Sequence, residues 1–85
     1  MKLFESVKNN NLKEVTDLFD TALQGDLKPE INNKDQNSWT SLQYACLNGN
    51  YNIVLFLLKN EANIELTNDL KQTALIVATL KFYPF

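Results

Sequence analysis

Asp35-Gln36-Asn37-Ser38-Trp39-Thr40-Ser41-Leu42-Gln43-Tyr44-Ala45-Cys46-Leu47-Asn48-Gly49-Asn50 holds the pattern from which the fold can be read. The run from Asn33 to Trp39 is polar, turn-rich and non-helical. Thr40 stands where a helix N-cap is wanted, because its hydroxyl can accept from a free first-turn N–H. Ser41 to Asn48 reads as one short helix, and Gly49 is placed to end it in a left-handed conformation. Asn52 to Lys59 reads as a second helix. Displaced by 33 residues, the stretch meets a second copy of itself: Thr40 falls on Thr73, Leu42 on Leu75, Ala45 on Ala78 and Leu47 on Leu80, with Ile31 on Ile64 and Asp35 on Asn68. The shared frame is Thr-x-Leu-x-x-Ala, and its recurrence marks a repeat architecture.

The N-terminal third follows the same plan at an offset of 39: Val15, Leu18 and Phe19 match Val54, Leu57 and Leu58, and Leu3 and Val7 match Leu42 and Cys46. Leu3, Phe4 and Val7 have helical spacing, as do Leu12, Val15, Leu18 and Phe19. Asn9-Asn10-Asn11 reads as the tight turn between them, since Asn tolerates the left-handed conformation. The six extra residues fall within 20–28, expected as an inserted loop. A third first-helix is expected over Ala74 to Lys81, with Pro84 forbidding long continuation. Each unit is then a turn or short hairpin followed by two antiparallel helices. Helices this short are unstable alone and must stack on their neighbours. The expected organisation is one domain over 1–85: a degenerate first repeat at about 1–31, a second at about 32–64 and an incomplete third at about 65–85.

Composition removes whole classes of chemistry. The 85 residues contain no His, one Cys (Cys46) and two Gly (Gly25 and Gly49). His-based acid–base catalysis, His-ligated zinc, a disulfide and a Gly-rich phosphate loop therefore have no residues to build them. All eight basic residues are Lys and the net charge is -2. Without Arg or a basic patch, nucleic acid is not an expected partner. The twelve Asn residues read as genomic codon bias. No run approaches a membrane span of about 18 apolar residues. The start, Met1-Lys2-Leu3-Phe4-Glu5, does not read as a secretory leader, so an intracellular, cytoplasmic location is expected. Cys46 reads as a small packing residue with no histidine to activate it. Glu14 and Asp17 read as a solvated helix face beside Lys13. No catalysis, metal or cofactor is expected.

The residues from Asp35 to Asn50 resemble the ankyrin repeat, whose outline is D-x-x-G-x-T-P-L-H-x-A-A-x-x-G-H. Ile53-Val54-Leu55-Phe56-Leu57-Leu58-Lys59-Asn60-Glu61-Ala62-Asn63-Ile64 resembles its I-V-x-L-L-L-x-x-G-A-x-V tail. The middle repeat carries the resemblance most strongly. The third matches through Asn68, Thr73, Leu75 and Ala78, and the first by apolar spacing alone. The implied fold is all-α: a short ankyrin-repeat solenoid of two repeats and a truncated third. Four departures bear on stability. Ser38 and Lys71 occupy the hairpin glycine, and Glu61 the glycine after the second helix. Positive φ there costs a non-Gly residue about 1 kcal/mol. Ser41 and Ala74 replace the proline. Gln43 and Ile76 replace the histidine; Gln43 can take over part of its hydrogen bonding and Ile76 cannot. The resemblance therefore implies a correctly folded but less stable stack than the family consensus.

The resemblance also implies the function: binding another protein through hairpin tips and the concave first-helix face. Carried over by position, the partner-binding residues are Lys8 and Asn9 in the first repeat, and Gln36, Asn37, Trp39, Leu47 and Asn48 in the second. Asp69, Leu70, Gln72, Leu80 and Lys81 follow in the third. Trp39 reads either as a binding hot spot or as a ring stacked for structural reasons. Leu47, Leu70 and Leu80 read either as partner surface or as packing between repeats. The apolar helix Leu75-Ile76-Val77-Ala78-Thr79-Leu80 has no second helix after it and lacks the polar face of a capping repeat. Three explanations stand: a fragment of a longer array, self-association or docking through this end, or a fold-back of Phe82-Tyr83-Pro84-Phe85. The alternative function is an N-terminal capping fragment of a larger ankyrin-repeat protein whose activity lies outside this chain.

Overall fold

The computed structural model describes residues 2–25 and 31–82. Among them are five α-helices and no strand: α1 (Lys2–Lys8), α2 (Leu12–Gly25), α3 (Ser41–Asn48), α4 (Tyr51–Lys59) and α5 (Ala74–Phe82).

The two offsets seen in the sequence reappear as two sets of matched hydrogen bonds. At 33, Asp35 and Asn68 open their hairpins identically. The Asp35 N–H donates to the Trp39 carbonyl at 2.9 Å, and the Asn68 N–H to the Gln72 carbonyl at 3.0 Å. Asp35 Oδ1 accepts from the N–H groups of Asn37 (2.9 Å) and Trp39 (3.0 Å). Asn68 Oδ1 accepts from those of Leu70 (2.9 Å) and Gln72 (3.0 Å). A short side chain with an acceptor oxygen makes this turn possible, which is why Asp and Asn both serve here. At 39, Asn11 and Asn50 cap α2 and α4, their Oδ1 atoms accepting from Glu14 N–H (3.1 Å) and Ile53 N–H (3.0 Å). The residues before them, Asn10 and Gly49, are left-handed, at φ 57° and 71°. Asn11 and Asn50 then return their N–H groups to the carbonyls of Ser6 (2.9 Å) and Ala45 (3.2 Å), closing α1 and α3 in the same way.

The inserted segment corrects the sequence expectation. Asp20 to Gly25 do not loop out but extend α2 to 14 residues, against nine for α4. Ala22, Leu23 and Gln24 are good helix formers and no breaker precedes Gly25. The remaining expected loop positions, 26–28, lie outside the described residues, as do 83–85 of the proposed fold-back.

The helices form two layers. α1, α3 and α5 stand side by side, while α2 lies on α1 and α4 on α2 and α3. Leu3, Val7, Val15, Leu42, Ala45, Ile53 and Leu57 make one core between the layers. Phe19 and Phe56 meet edge to face at 5.1 Å across α2 and α4. α5 shows what covering means. Ala74 and Val77 are buried, yet Leu75 is 76% exposed where its equivalent Leu42 is 3% exposed. Leu42 lies beneath the helix layer above it; Leu75 has no such helix over it among the described residues.

Candidate functional site

Tyr44 gathers side chains from α1 and the first hairpin. Its hydroxyl donates to Asp35 Oδ2. Trp39 stacks on its ring at 5.2 Å with a 27° interplanar angle, and Phe4 meets it edge-on at 6.1 Å. Lys8 Nζ stands 4.6 Å from the ring centre, a cation–π contact joining α1 to α3. Burial pushes the Asp35 carboxyl up, but the Tyr44 hydroxyl, the N–H groups of Trp39 and Asn37 and the Lys8 charge outweigh it. Together they hold Asp35 below its ordinary 3.8. Burial, the Asp35 hydrogen bond and the charges of Asp35 and Asp69 push the Tyr44 hydroxyl up to about 12. An open groove of about 740 Å³ runs between α1 and the first hairpin, with Phe4, Glu5 and Lys8 on one wall and Lys34, Gln36 and Asn37 on the other.

Hydrogen bonds lock the hairpins to each other. Lys34 Nζ donates to the Thr67 carbonyl at 2.7 Å, the Asn63 N–H to Asn32 Oδ1 at 2.7 Å, and the Asp69 N–H to the Asn37 carbonyl at 3.2 Å. Gln43 is the buried centre of this network. Its Oε1 accepts from the Thr40 N–H at 2.9 Å while its own N–H donates to Thr40 Oγ1, a capping box. Its Nε2 donates to the carbonyls of Leu66 (2.8 Å) and Gln72 (3.3 Å) in the next hairpin. Gln43 thus takes over a junction role at the histidine position. Ile76, its equivalent in α5, bears no side-chain donor and is exposed.

The twelve residues anticipated from sequence separate into two groups. Gln36, Asn37, Asp69 and Leu70 lie exposed at the two hairpin tips, and Lys8 and Asn9 lie exposed at the end of α1. Leu80 and Lys81 are exposed on α5. Trp39, Leu47 and Gln72 are half-buried. Asn48 spends its amide on the carbonyls of Val7 (3.3 Å) and Lys8 (3.2 Å), tying α3 to the end of α1. Gln72 accepts from Asn68 Nδ2 at 3.0 Å. Of the groove residues only Lys8, Gln36 and Asn37 were anticipated; Phe4, Glu5, Asn33, Lys34, Asp35 and Tyr44 were missed, and Tyr44 and Asp35 form its braced centre. The displacement of 33 sets Tyr44 on Val77, a buried aliphatic, so it reads as ordinary core. The nine-residue spacing from Asp35 to Tyr44 is the signal that could have found the pair.

A family profile described as "Ankyrin repeats (3 copies)" matches residues 3–83. The chain belongs to the ankyrin repeat family. Ankyrin repeats generally mediate protein–protein interaction and are typically non-catalytic. Two similar proteins are the NAD-capped RNA hydrolase NUDT12 of Macaca fascicularis and of Homo sapiens. Each is 34% identical over 89 residues, covering 92% of this chain and 19% of the relative. Oxysterol-binding protein-related protein 1 of Homo sapiens is 32% identical over 73 residues, covering 81% of this chain and 8% of the relative. This ankyrin chain therefore spans about a fifth or less of the curated relatives it matches. Among solved structures, the complex of the Bd0816 predatory endopeptidase from Bdellovibrio bacteriovorus with immunity protein Bd3460 contains a similar chain. The TM-score is 0.77 at 30% identity, covering 93% of this chain and 38% of that one. Among the described residues, no helix is long and apolar enough to cross a membrane, and no group of three or more His, Cys, Asp or Glu could hold a metal.

Proposed function

We propose that this ankyrin stack binds another protein through its hairpin tips and the groove between α1 and the first hairpin, without chemistry of its own. The observation that carries the reading is the pairing of exposed tips with a braced base. Gln36, Asn37, Asp69 and Leu70 project into solvent, while Asp35, Tyr44, Gln43 and the hairpin cross-links hold the backbone beneath them. A surface ordered before binding loses less entropy on capturing a partner. Trp39 and Tyr44 supply the aromatic component and Lys8 a flanking charge, residue types suited to a binding centre and its rim. A cytoplasmic partner fits a chain with one unpaired cysteine.

Affinity capture tests this. Gln36→Lys and Leu70→Lys should each lose partners that the unsubstituted chain retains, with melting unchanged. Lys13→Glu, on the far side, should retain them. Partners lost only with variants that also unfold would contradict the reading.

The coverage of only 19% of NUDT12 favours a second reading, in which the chain is one part of a larger protein whose activity lies elsewhere. Poor behaviour of the isolated chain, cured by adding downstream sequence, would support it. Self-association through α5 is a further reading, carried by the exposure of Leu75, Ile76 and Leu80.

A further inference from the structure

The twelve asparagines of the chain are not chemically equal. An asparagine followed by glycine is prone to cyclise, because the next backbone nitrogen reaches the side-chain carbonyl carbon unhindered when no Cβ stands beside it. Asn48-Gly49 is the single such pair in the sequence; every other asparagine precedes a residue with a side chain. In the reaction the Gly49 nitrogen bonds to Asn48 Cγ, the Cγ–Nδ2 bond breaks, and Nδ2 leaves as ammonia with the Gly49 amide proton. Water then opens the imide ring at one of its two carbonyls. The product is an aspartate, or its isomer with the main chain routed through the side chain.

The fold holds both nitrogens of this reaction. Asn48 is the last residue of α3, and its Nδ2 donates to the carbonyls of Val7 (3.3 Å) and Lys8 (3.2 Å) at the end of α1. The Gly49 N–H, whose proton must leave, donates to the Cys46 carbonyl at 3.2 Å from a left-handed cap. Both residues are exposed to the water that the second step consumes. The restraint therefore lies in these hydrogen bonds and not in burial, and ring closure needs the end of α3 to open locally.

Reaction would also prevent the joint from closing again. Tyr44 and Asn48 sit one turn apart on α3 and both reach α1: Tyr44 meets the Lys8 ammonium, and Asn48 holds the Lys8 carbonyl. A carboxylate in place of the amide has no proton to donate. It sets an acceptor against two carbonyl oxygens, at the negative end of α3. We infer that Asn48-Gly49 is a spontaneous modification site gated by the α1–α3 joint: opening of the joint permits deamidation, and deamidation keeps the joint open. The groove wall formed by Phe4 and Lys8 loosens in consequence. The inference concerns the joint itself and stands whether or not the groove takes a protein.

Peptide-mapping mass spectrometry of the full chain, aged at neutral pH in buffer and in denaturing urea, tests the inference. In urea Asn48 should be the first asparagine converted, and Gly49→Ala should slow that conversion. In buffer the conversion should be at least about tenfold slower, because only the opened fraction reacts. Asn48→Asp makes the product directly. It should unfold at lower urea than Asn48→Ala, which loses the tie without adding a charge, and its α1 amides should exchange hydrogen faster. An Asn48→Asp chain that fails to fold where Asn48→Ala folds is the same result in stronger form. Equal conversion rates in buffer and in urea would overturn the proposal, as would another asparagine reacting first in urea. An Asn48→Asp chain as stable as Asn48→Ala, held by a new ion pair to Lys8, would equally overturn it.

Discussion

Asn10, Ser38, Glu61 and Lys71 hold a left-handed backbone without being glycine, with φ between 57° and 69°. Ser38, Glu61 and Lys71 stand where the family outline carries glycine, and Asn10 matches Gly49 at the offset of 39, so the structure keeps the glycine conformation after the glycine is gone. The Cβ clash costs about 1 kcal/mol at each. Ser38→Gly, Glu61→Gly and Lys71→Gly should therefore each raise the unfolding free energy by about 0.5–1 kcal/mol in urea titrations. Asn10→Gly should gain less, because Asn tolerates this region. Ser41 stands at the proline position with its hydroxyl buried and unpaired. Ser41→Pro should stabilise by about 1 kcal/mol, since a first-turn N–H is dispensable and the ring restricts the unfolded chain. Gln43→Ala should cost about 2–3 kcal/mol, because it strands the Thr40 N–H and removes both links to the next hairpin. These sites were legible in the sequence because each is a fixed backbone demand at a repeat position. Tyr44 was not. Its role depends on Asp35 and Trp39 of the first hairpin and Phe4 and Lys8 of α1 converging on it, and no periodicity encodes that meeting.

At the scale of elements, Tyr44 joins α1, α3 and the first hairpin, and pH reads the joint. Asp35 is held below 3.8 in the fold. A depressed carboxylate stabilises fully above its unfolded value, and that contribution is lost as pH falls from 3.8 through the lower folded value. Tyr44 is raised from 10.0 to about 12. A raised group stabilises fully below its unfolded value, so stability should fall as pH climbs from 10 to about 12. Ultraviolet titration should show a tyrosinate step near pH 12, and Tyr44→Phe should abolish that step and relax the acid limb together. The helices and the caps of α3 followed from short-range rules: Thr40 and Gly49 act on their own neighbours. The end of α2 did not follow. An insertion inferred from a six-residue difference in offset carries no instruction to loop, and residues with good helical propensity simply continued the helix to Gly25.

At the scale of the molecule, the stack is a row of first helices, α1, α3 and α5, with hairpin tips along one edge and second helices behind. The row is held by bonds between units: Asn48 to α1, Gln43 to the next hairpin, and Lys34 to Thr67. Asn48→Ala removes the tie between α3 and α1 and should lower stability by about 1 kcal/mol, measured by urea denaturation. Repeat stacking was legible because its period is written in apolar residues. The groove was not, because its walls come from α1 and a hairpin some 30 residues apart in sequence. In the proposed function the braced tips and this groove make the binding face. Amide chemical-shift mapping of the chain on addition of a captured partner tests it most directly. The largest shifts are expected at Gln36, Asn37, Trp39, Asp69 and Leu70, with little change along α2 and the outer face of α4. Shifts confined to α2 and α4, with the hairpins silent, would contradict it.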